Sequence, residues 1–481
     1  MKIYSSLTRK KENFIPLVRG KVKMYACGIT TYDDIHIGHA RQAIVYDVIR
    51  AYFEYAGYHV TYVRNFTDVD DKIINRAKTE GKESSQVGAR FVLENSRDLE
   101  RLKVRKATFE PRVTECIGAI ITFIQGLINK GFAYVKDGEV FFEVVKFVDY
   151  GKLSNRKKED LINSDESPNK KSPNDFVLWK PSKIGEPSWN SPWSQGRPGW
   201  HIECSAMVLK YLGETIDIHG GGIDLIFPHH ENEIAQSEAF TGKKLASYWL
   251  HNGLVMLNGV KMSKSLGNFM TVRGALEIYF PDELRYAILA QNYGSQMDFS
   301  KDLFKNARKR VYYFYQTLER IQFTIGQATE KPEENIIVPS VISNLEKKFA
   351  EAMEDNFNTA KVIADLSNVF RELNKMIDSS SFLPDTKVLF IKSFMKSFGR
   401  ISSVLRLFEE DPGKYLSNVR NRILTEKGIT EEQIDATIKE RSLAKLAKDW
   451  VTADSLKNNL LIKGVSLKDS PDGVKWEIVF D

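Results

Sequence analysis

The sequence lacks several features that would place the chain outside the cytosol. No run of eighteen or more apolar residues occurs in its 481 residues, so we exclude a membrane span. The first residues carry lysines with no apolar segment behind them, which argues against a secretory signal peptide. Only three cysteines are present, Cys27, Cys116 and Cys204, and they cannot form a disulfide framework. We therefore expect a cytoplasmic protein with reduced thiols.

Histidine is also unevenly distributed. All eight histidines lie at or before His251, so histidine chemistry is confined to the first half of the chain. The composition, 42% hydrophobic and 27% charged, is typical of a soluble globular protein. The net charge of +6 is compatible with a polyanionic partner but does not identify one. The length predicts about three domains.

The N-terminal pattern predicts a doubly wound, Rossmann-like α/β domain. Residues 21–28 alternate as a strand does, and apolar residues then recur at helical spacing from Ile37 until Gly57 closes the helix. A second strand, "HVTYVRNFTD", follows. A strand, a helix and a strand in this order form a βαβ unit, which binds nucleotides at the carboxyl ends of its strands. Further on, "ETIDIHGGGIDLIF" predicts a strand and a glycine turn, followed by a helix over "FPHHENEIAQSEAF".

Changes of composition divide the chain into segments. Residues 154–198 are rich in proline, glycine, serine and tryptophan, which predicts loops within an inserted domain. After residue 300 the apolar spacing becomes helical, and the last seventy residues predict two helices and a hairpin. The predicted domains are a Rossmann-like catalytic domain in two halves (1–115 and 197–255), an inserted connective domain (116–196), a linking region (256–300), a helical bundle (301–408) and a small C-terminal anticodon-binding unit (409–481).

Two short motifs could bind phosphates. His36-Ile37-Gly38-His39 places two imidazoles and a glycine at a predicted helix N-terminus, where the helix dipole favours anions. Farther on, Lys261-Met262-Ser263-Lys264-Ser265 offers two ammonium groups next to the hairpin signal Asn258-Gly259. Taken separately, the first motif could equally be a pair of satisfied core histidines, and the second a solvated charged turn.

In this order, the two motifs resemble the signatures of class I aminoacyl-tRNA synthetases. "CGITTYDDIHIGHARQ", "PGWHIECSAM", "GGGIDLIFPHHENEIAQSEA" and "KMSKSLGN" together resemble the cysteinyl-tRNA synthetase family, and the likeness runs essentially from end to end. The resemblance implies formation of an aminoacyl adenylate from ATP. It implies that His36 and His39 contact the ATP phosphates. Lys264, assisted by Lys261, would neutralise the departing pyrophosphate, and Mg²⁺ would arrive with ATP.

A possible metal set comes from three distant segments. Cys27, Cys204, His229 and Glu233 offer two thiolates, one imidazole and one carboxylate, which suit Zn²⁺, and His229 and Glu233 would share one helix face. From the residues alone, buried thiols with a capping histidine and glutamate remain an alternative. The resemblance implies that these four residues bind one Zn²⁺ per chain, and that the ion binds the thiol of the substrate cysteine.

Such an ion would select the substrate. Zinc favours a thiolate at neutral pH, whereas the hydroxyl of serine cannot compete. A pocket that recognises shape alone discriminates between two amino acids by about 1–3 kcal/mol per missing group. The loss of a specific bond can instead change the specificity by roughly 10⁴–10⁵-fold. We therefore expect no editing domain, and the insertion at 116–196 is short.

Several other residues are candidates for substrate contacts. Trp200 is expected either to close over the small substrate or to pack in the core. Thr67 and Asp224 are predicted to hold the amino group and the carboxylate side of the substrate, and His219 to border the adenylate. The acidic run at residues 67–71 could suggest a Mg²⁺ site, but we favour a helix N-terminal cap.

The partners implied by the resemblance are tRNA-Cys, ATP and L-cysteine, with no membrane, and we expect a monomer. Residues 301–323 carry six basic and two acidic side chains. In the family, the bundle and the C-terminal unit hold the tRNA through phosphate contacts and base stacking. The candidates are Lys305, Arg308, Lys309 and Arg310 for phosphates, and Trp450 for stacking on a base.

Two alternatives stay open. A related ligase transfers activated cysteine to a sugar amine, but residues 300–481 argue against it because such ligases lack a full tRNA-binding end. A non-enzymatic, zinc-dependent RNA-binding paralogue is the second alternative, and the presence of His36, His39 and Lys264 argues against it.

Overall fold

The computed structural model describes residues 1–156, 167–257, 259–261, 269–326, 337–470 and 473–480. The strands are β1 (Lys2–Ser5), β2 (Lys10–Asn13), β3 (Lys21–Thr30), β4 (His59–Thr67), β5 (Ala133–Lys136), β6 (Glu139–Phe142), β7 (Phe176–Pro181), β8 (Trp189–Asn190), β9 (Gln195–Pro198), β10 (Ile216–Gly222), β11 (Ala246–Asn252), β12 (Val255–Leu257), β13 (Val260–Lys261), β14 (Met297–Asp298), β15 (Val465–Ser470) and β16 (Gly473–Ile478). The α-helices are α1 (Ile37–Tyr55), α2 (Asp71–Glu80), α3 (Ser84–Arg101), α4 (Ile117–Asn129), α5 (Trp200–Leu212), α6 (Glu231–Thr241), α7 (Val272–Ile278), α8 (Pro281–Leu289), α9 (Lys301–Gly326), α10 (Ser340–Ser343), α11 (Leu345–Glu354), α12 (Thr359–Asp378), α13 (Pro384–Leu405), α14 (Pro412–Lys427), α15 (Glu431–Leu446) and α16 (Trp450–Ile462).

A four-stranded parallel sheet organises the N-terminal half, in the order β11-β10-β3-β4. From β3 the chain passes through α1 to β4 at one edge, and from β10 it passes through α6 to β11 at the other. The strand order therefore reverses between β3 and β10. Ligands of doubly wound sheets bind in the crevice at this reversal, beside the carboxyl ends of the strands. The predicted doubly wound α/β sheet is confirmed.

Helix α1 forms as its apolar spacing predicts. Ile37, Ala40, Ile44 and Val48 are all buried. The helix ends at Tyr55, and Gly57 follows with a φ of +90°, a left-handed conformation that glycine adopts without strain. The predicted helix and its glycine end are confirmed.

The predicted glycine turn at residues 220–222 is wrong, because these glycines belong to β10 and pair with residues 250–252 of β11. A Cβ atom at Gly220 would lie 2.1 Å from the hydroxyl oxygen of Tyr46, and one at Gly221 would lie 2.9 Å from Cε1 of His230. The missing side chains thus let α1 and the histidine segment approach the sheet closely.

The predicted helix at residues 227–240 begins later than expected. Helix α6 starts at Glu231, and a separate turn covers residues 226–230, in which Phe227 is extended (φ −136°, ψ 131°). His229 therefore lies just before the helix and Glu233 in its first turn. Nearly all of α6 is buried, including polar Glu231, which accepts hydrogen bonds from the backbone N–H groups of Gly151 and Ser154.

The predicted inserted segment contains an antiparallel sheet in the order β5-β6-β7-β9-β8. Part of the region predicted as loops is therefore strand, in β7 and β9, and Trp179 is fully buried in β7. The tryptophans, prolines and glycines of this segment suggested loops, but the sheet buries Trp179. The boundaries at 116 and 196 stay a prediction.

The chain forms two compact units. One comprises Met1–Ser300, Asn344–Ser367 and Ser403–Arg406, and the other comprises Lys301–Ser343, Asn368–Ser402 and Leu407–Asp481. The second unit is mainly helical, and the rings of Phe370 and Phe408 lie 4.5 and 5.0 Å from that of Phe314. The described part of the last seventy residues contains three helices, α14 to α16, rather than the two predicted. Among the described residues, no helix is long and apolar enough to span a bilayer.

Candidate active site and metal centre

A cleft of about 340 Å³ opens at the reversal of the strand order. Its walls come from the end of β3, the start of α1, the end of β4, the start of α5 and the segments after β10 and β11. Eight of the residues predicted from the sequence line it, namely Cys27, His36, His39, Thr67, Trp200, Cys204, Asp224 and His229. Residues from both halves of the chain's sheet domain thus meet in one cleft.

The four predicted metal ligands come together beside this cleft. Sγ of Cys27 lies 3.8 Å from Sγ of Cys204 and 3.2 Å from Oε1 of Glu233. Nε2 of His229 lies 3.1 Å from the same Glu233 oxygen, and all four side chains are buried. Tetrahedral zinc with bonds of about 2.0–2.3 Å needs donor atoms about 3.3–3.8 Å apart. The donor set fits Zn²⁺, and the three donor distances of 3.8, 3.2 and 3.1 Å lie in or just below this range.

The position of Cys27 depends on an irregularity in the sheet. The pairing of β3 with β4 shifts register between Ala26 and Ile29, at Cys27 and Gly28. A Cβ at Gly28 would lie 1.6 Å from the carbonyl oxygen of Asn65, so only glycine fits. Such bulges redirect neighbouring side chains, and here the neighbour is Cys27, a predicted ligand.

Further side chains contact two of the predicted ligands, His229 and Glu233. Nδ1 of His201 lies 3.0 Å from Nδ1 of His229, and the Trp200 ring stacks on the His229 ring at 4.3 Å and 22°. Nε2 of His219 lies 2.8 Å from Oε2 of Glu233. Contacts of this kind fix the orientation of ligating groups. Trp200 lines the cleft and is 39% exposed, so it does not pack in the core, and its closure over the substrate stays a prediction.

The position predicted for His219 needs a correction. His219 is fully buried in β10 and does not line the cleft, because its ring lies between Glu233 and Trp249. It therefore contacts a predicted metal ligand, and its position does not support the predicted contact with the adenylate.

A second group of possible donors, formed by Cys27, His219 and His230, overlaps the first. Nε2 of His230 lies 3.3 Å from Sγ of Cys27, and its Nδ1 lies 2.8 Å from Nε2 of His251. Because both groups need Cys27, they cannot each hold a complete set of ligands. The four-residue group is favoured because it offers four donors and the second group offers only three.

The electrostatics of the cluster favour the anionic forms of Cys204 and Glu233. The hydrogen bond from Cys27 lowers the pKa of the Cys204 thiol to about 6, while burial and the neighbouring Cys204 raise the pKa of the Cys27 thiol. Burial opposes the ionised Glu233, but His219 and His229 outweigh it and lower the pKa of its carboxyl group. Thiolate and carboxylate are the forms that bind a metal.

His36 and His39 stand at the start of α1, on the cleft. Nδ1 of His36 accepts a hydrogen bond from the backbone N–H of Gly38 at 3.0 Å, and the two imidazole rings stack 3.8 Å apart. Residues 270–272 pair with residues 35–37 through two backbone hydrogen bonds, of 3.2 and 2.8 Å. This pairing holds residues 270–272, which follow the lysine motif in sequence, beside His36.

The lysine motif itself is only partly described. The predicted hairpin is present, since β12 pairs with β13 in antiparallel fashion and Lys261 opposes Met256. Asn258, Lys264 and the other residues of 262–268 lie outside the described residues, and only the backbone of Lys261 is described. The predicted roles of Lys261 and Lys264 stay predictions.

Sequence reasoning missed several polar residues in and beside the cleft, among them Asn65 and Glu203. Asn65 lines the cleft at the end of β4, and Oδ1 of its amide accepts from the backbone N–H of Gly28 at 2.8 Å. Glu203 is fully buried, burial raises the pKa of its carboxyl group, and Oε2 lies 3.2 Å from Oγ1 of Thr67. Asn65 lies two residues before the predicted Thr67, and Glu203 directly precedes the predicted Cys204. These positions in the sequence were the available signal.

The chain is similar to known proteins along its whole length. The family of tRNA synthetases class I (C) catalytic domains matches residues 13–309, and the DALR domain matches residues 348–409. Cysteine–tRNA ligases of Thermodesulfovibrio yellowstonii and Caldicellulosiruptor saccharolyticus are 47% and 48% identical to it, over 99% of each chain.

Solved structures support the fold. The methionyl-tRNA synthetase of Mycobacterium tuberculosis with methionyl-adenylate aligns with a TM-score of 0.64 and 15% identity, over 86% of this chain and 95% of that one. A putative arginyl-tRNA synthetase of Campylobacter jejuni gives 0.57 and 13%, over 81% and 94%. The site, the class I catalytic-domain match and the full-length likeness agree: the chain belongs to the cysteine–tRNA ligase family.

Proposed function

We propose that the cleft activates L-cysteine with ATP and that the chain transfers the cysteinyl group to tRNA-Cys, with Zn²⁺ at Cys27, Cys204, His229 and Glu233. The observation that carries this proposal is the convergence of four buried donors, spaced for one tetrahedral ion, on a cleft that also contains both histidines of the α1 motif. Family membership supports the overall reaction.

The substrate side of the cleft is small and polar. When bound, the ion supplies a soft Lewis acid that favours a thiolate over the hydroxyl of serine. Trp200, which is 39% exposed, flanks the ligands and limits the space beside them. Thr67 and Asp224 line the same cleft and are the proposed contacts for the amino group and the carboxylate side of cysteine.

The ATP side depends on positioning and charge. Little covalent work is required of the protein, because the carboxylate of cysteine attacks the α-phosphate and pyrophosphate leaves. His36 and His39 lie at the N-terminus of α1, where imidazole donors and the helix dipole favour phosphates. Lys264 and Lys261 are proposed to stabilise charge on the leaving pyrophosphate, with Mg²⁺ accompanying ATP.

The mainly helical unit is the proposed tRNA-binding part. Lys305, Lys309 and Arg310 are exposed on α9 and can reach phosphates. Arg308 is a weaker candidate, because it is half-buried and its Nη1 lies 3.8 Å from Oε2 of Glu426. Trp450 is 59% exposed and free to stack on a base.

The remaining features are proposals of the same kind. We propose a cytoplasmic monomer with the domain division given above, in which 409–481 binds the anticodon. A sugar amine as acceptor is disfavoured, since the similarity to tRNA ligases extends over 99% of the chain and includes the region after residue 300.

One paired measurement tests the proposal. Purified protein should contain one zinc ion per chain by mass spectrometry of metals, and its ATP–pyrophosphate exchange should require cysteine. Serine should give a rate lower by about 10⁴-fold or more, because it lacks the thiolate. Active protein without zinc, or equal exchange with serine, would refute the selectivity mechanism.

A further inference from the structure

The segment around His36 is in contact with residues that follow the lysine motif. Residues 270–272 pair with residues 35–37 through two backbone hydrogen bonds, of 3.2 and 2.8 Å. The ring of Phe269 meets the His36 ring edge-on, with centroids 5.3 Å apart and planes at 81°. The position of His36 on the cleft therefore depends on a segment far downstream in the sequence.

An arginine adds side-chain contacts to this junction. Arg273 lies in the first turn of α7, directly after the paired segment. Its Nη2 atom lies 3.4 Å from Oδ1 of Asp34, which stands two residues before His36. The same atom lies 3.3 Å from Oδ2 of Asp98 and 3.7 Å from Oε2 of Glu94, both in α3. Because a guanidinium group is a planar fork with several donors, one arginine can join three segments in this way.

Arg273 and Asp34 lie outside the cleft. Neither is among the residues that line it, whereas His36 is. The side chain of Arg273 is 42% exposed, so its ion pairs contribute little to the stability of the whole protein. Their local effect is to hold Asp34, and with it the chain that leads into His36, against α7.

We propose that Arg273 and Asp34 are positioning residues, which hold the loop before His36 against the segment after the lysine motif and so keep the His36 imidazole in place for the ATP phosphates. This proposal rests on the proposed function, in which His36 contacts those phosphates. Adenylate formation depends on exact placement of the reacting groups, so loss of the pair should impair the use of ATP. Cysteine binding should not change.

Two substitutions break the pair at nearly constant volume. Arg273→Gln and Asp34→Asn should each lower kcat/KM for ATP in ATP–pyrophosphate exchange by about 10-fold. The KM for cysteine and the midpoint of urea denaturation should stay the same. Arg273→Lys, which keeps the charge but not the fork, should recover part of the loss. If Arg273→Gln is unstable because Asp98 loses its partner, Asp34→Asn still decides the matter, since it leaves the contact with Asp98 intact.

A double-mutant cycle tests whether Arg273 acts through His36. His36→Ala alone should lower kcat/KM for ATP, because a phosphate contact is lost. Residues that act as a unit give losses that do not add, so Arg273→Gln should cause little further loss in the His36→Ala protein. Additive losses would show that Arg273 acts elsewhere, and would overturn the proposal.

Arg76→Gln is the matched control on the same loop. Nη1 of Arg76 lies 3.7 Å from Oδ1 of Asp33, the residue before Asp34, and its side chain is 40% exposed. Arg76 reaches the loop from α2, and not from the segment after the lysine motif. Its substitution should leave kcat/KM for ATP unchanged. An equal loss in Arg76→Gln and Arg273→Gln would mean that any charge beside the loop has this effect, and would also overturn the proposal.

Failure of the positioning role differs from failure of the proposed function. A wild-type protein that shows cysteine-dependent exchange, together with an Arg273→Gln protein of equal kcat/KM for ATP, would refute only the role of Arg273. A wild-type protein without cysteine-dependent exchange would refute the proposed function, and the positioning role with it.

Discussion

Nε2 of His219 lies 2.8 Å from Oε2 of Glu233, and both side chains are fully buried. This contact fixes one carboxylate oxygen against β10. The other oxygen, Oε1, is left to face the Cys27 sulfur at 3.2 Å and the His229 ring at 3.1 Å. The strand that carries His219 therefore directs a predicted ligand in α6, and Gly221 of the same strand leaves room for His230, just before that helix.

Replacement of one ligand should remove the metal without unfolding the chain. Cys204→Ser exchanges a thiolate for a hydroxyl that stays protonated and binds zinc poorly. We expect the zinc content to fall from one ion per chain to well below half, and cysteine-dependent exchange to fall with it. Metal analysis of the dialysed protein measures this directly.

Cys116→Ser is the matched control. Cys116 is also buried, but it lies outside both groups of possible metal donors among the described residues. Its substitution should leave the zinc content unchanged. Equal zinc in the two variants would remove Cys204 from the proposed ligand set.

Local patterns predicted well what depends on neighbours in sequence. The apolar spacing of α1 was sufficient to predict the helix, and the acidic run at 67–71 was correctly interpreted as a cap, since Asp70 accepts from the backbone N–H of Lys72 at 2.8 Å. The four predicted metal donors, which the resemblance implied, lie together in the structure, and their role as ligands stays a prediction.

Contacts between distant segments could not be predicted. Three consecutive glycines indicate a turn by composition, and only the hydroxyl of Tyr46, on a remote helix, explains why a strand contains Gly220. The sequence places His219 in a predicted strand, but no pattern in the sequence indicates that its ring contacts Glu233. Asn65 and Glu203 were missed for the same reason, because their partners are backbone and side-chain groups of other elements.

A buried arginine should be important for stability. The guanidinium of Arg41 is fully buried and donates to the carbonyl oxygens of five residues, which are Gly253, Leu254, Asn292, Tyr293 and Ser295. Arg41→Met would leave these carbonyl oxygens without a hydrogen-bond donor in the protein interior. We expect the free energy of unfolding to fall by about 3 kcal/mol or more, measured by urea denaturation.

Arg50→Met is the comparison on the same helix. Arg50 pairs with Glu54 and donates to one carbonyl oxygen near the surface, that of Lys106. Its loss should cost no more than about 1 kcal/mol. A similar cost for both variants would show that the five carbonyl contacts of Arg41 contribute little.

An ion pair in the C-terminal region predicts a pH dependence of stability. Arg441 bonds both carboxylate oxygens of Asp469, at 2.9 and 3.0 Å, and Lys445 lies 3.0 Å from one of them. These bonds lower the pKa of Asp469. A lowered pKa in the folded state means that the stabilisation is present above the unfolded pKa of about 3.9 and is lost as the pH falls below it.

Asp469→Asn tests this assignment. Because Asp469 is half-exposed, the substitution should lower the free energy of unfolding by no more than about 1 kcal/mol at neutral pH. The difference from the wild type should shrink as the pH is lowered below about 4. Urea denaturation at several pH values measures it, and a difference independent of pH would exclude the ion pair as its cause.

The exposed basic face of α9 should contribute to tRNA binding through phosphates. The triple substitution of Lys305, Lys309 and Arg310 by alanine would remove three exposed positive charges. The slope of log K for tRNA against log salt should then become less negative by about 2 to 3, and binding should weaken. ATP–pyrophosphate exchange, which needs no tRNA, should be unchanged. An unaltered salt slope would place the tRNA on another surface.

Lys264 should act on the reaction more than on ATP binding. If its ammonium group stabilises charge that develops on the leaving pyrophosphate, its benefit exists mainly in the transition state. Lys264→Ala should therefore lower the rate of adenylate formation by about 10²-fold or more, while the dissociation constant for ATP changes by less than about 3-fold. Single-turnover kinetics separates the two quantities.

Lys243→Ala, which removes an exposed lysine paired with Glu214, should change neither the rate of adenylate formation nor the dissociation constant for ATP. A loss confined to ATP affinity would mean that Lys264 binds the ground state, and its assignment to the departing pyrophosphate would be wrong.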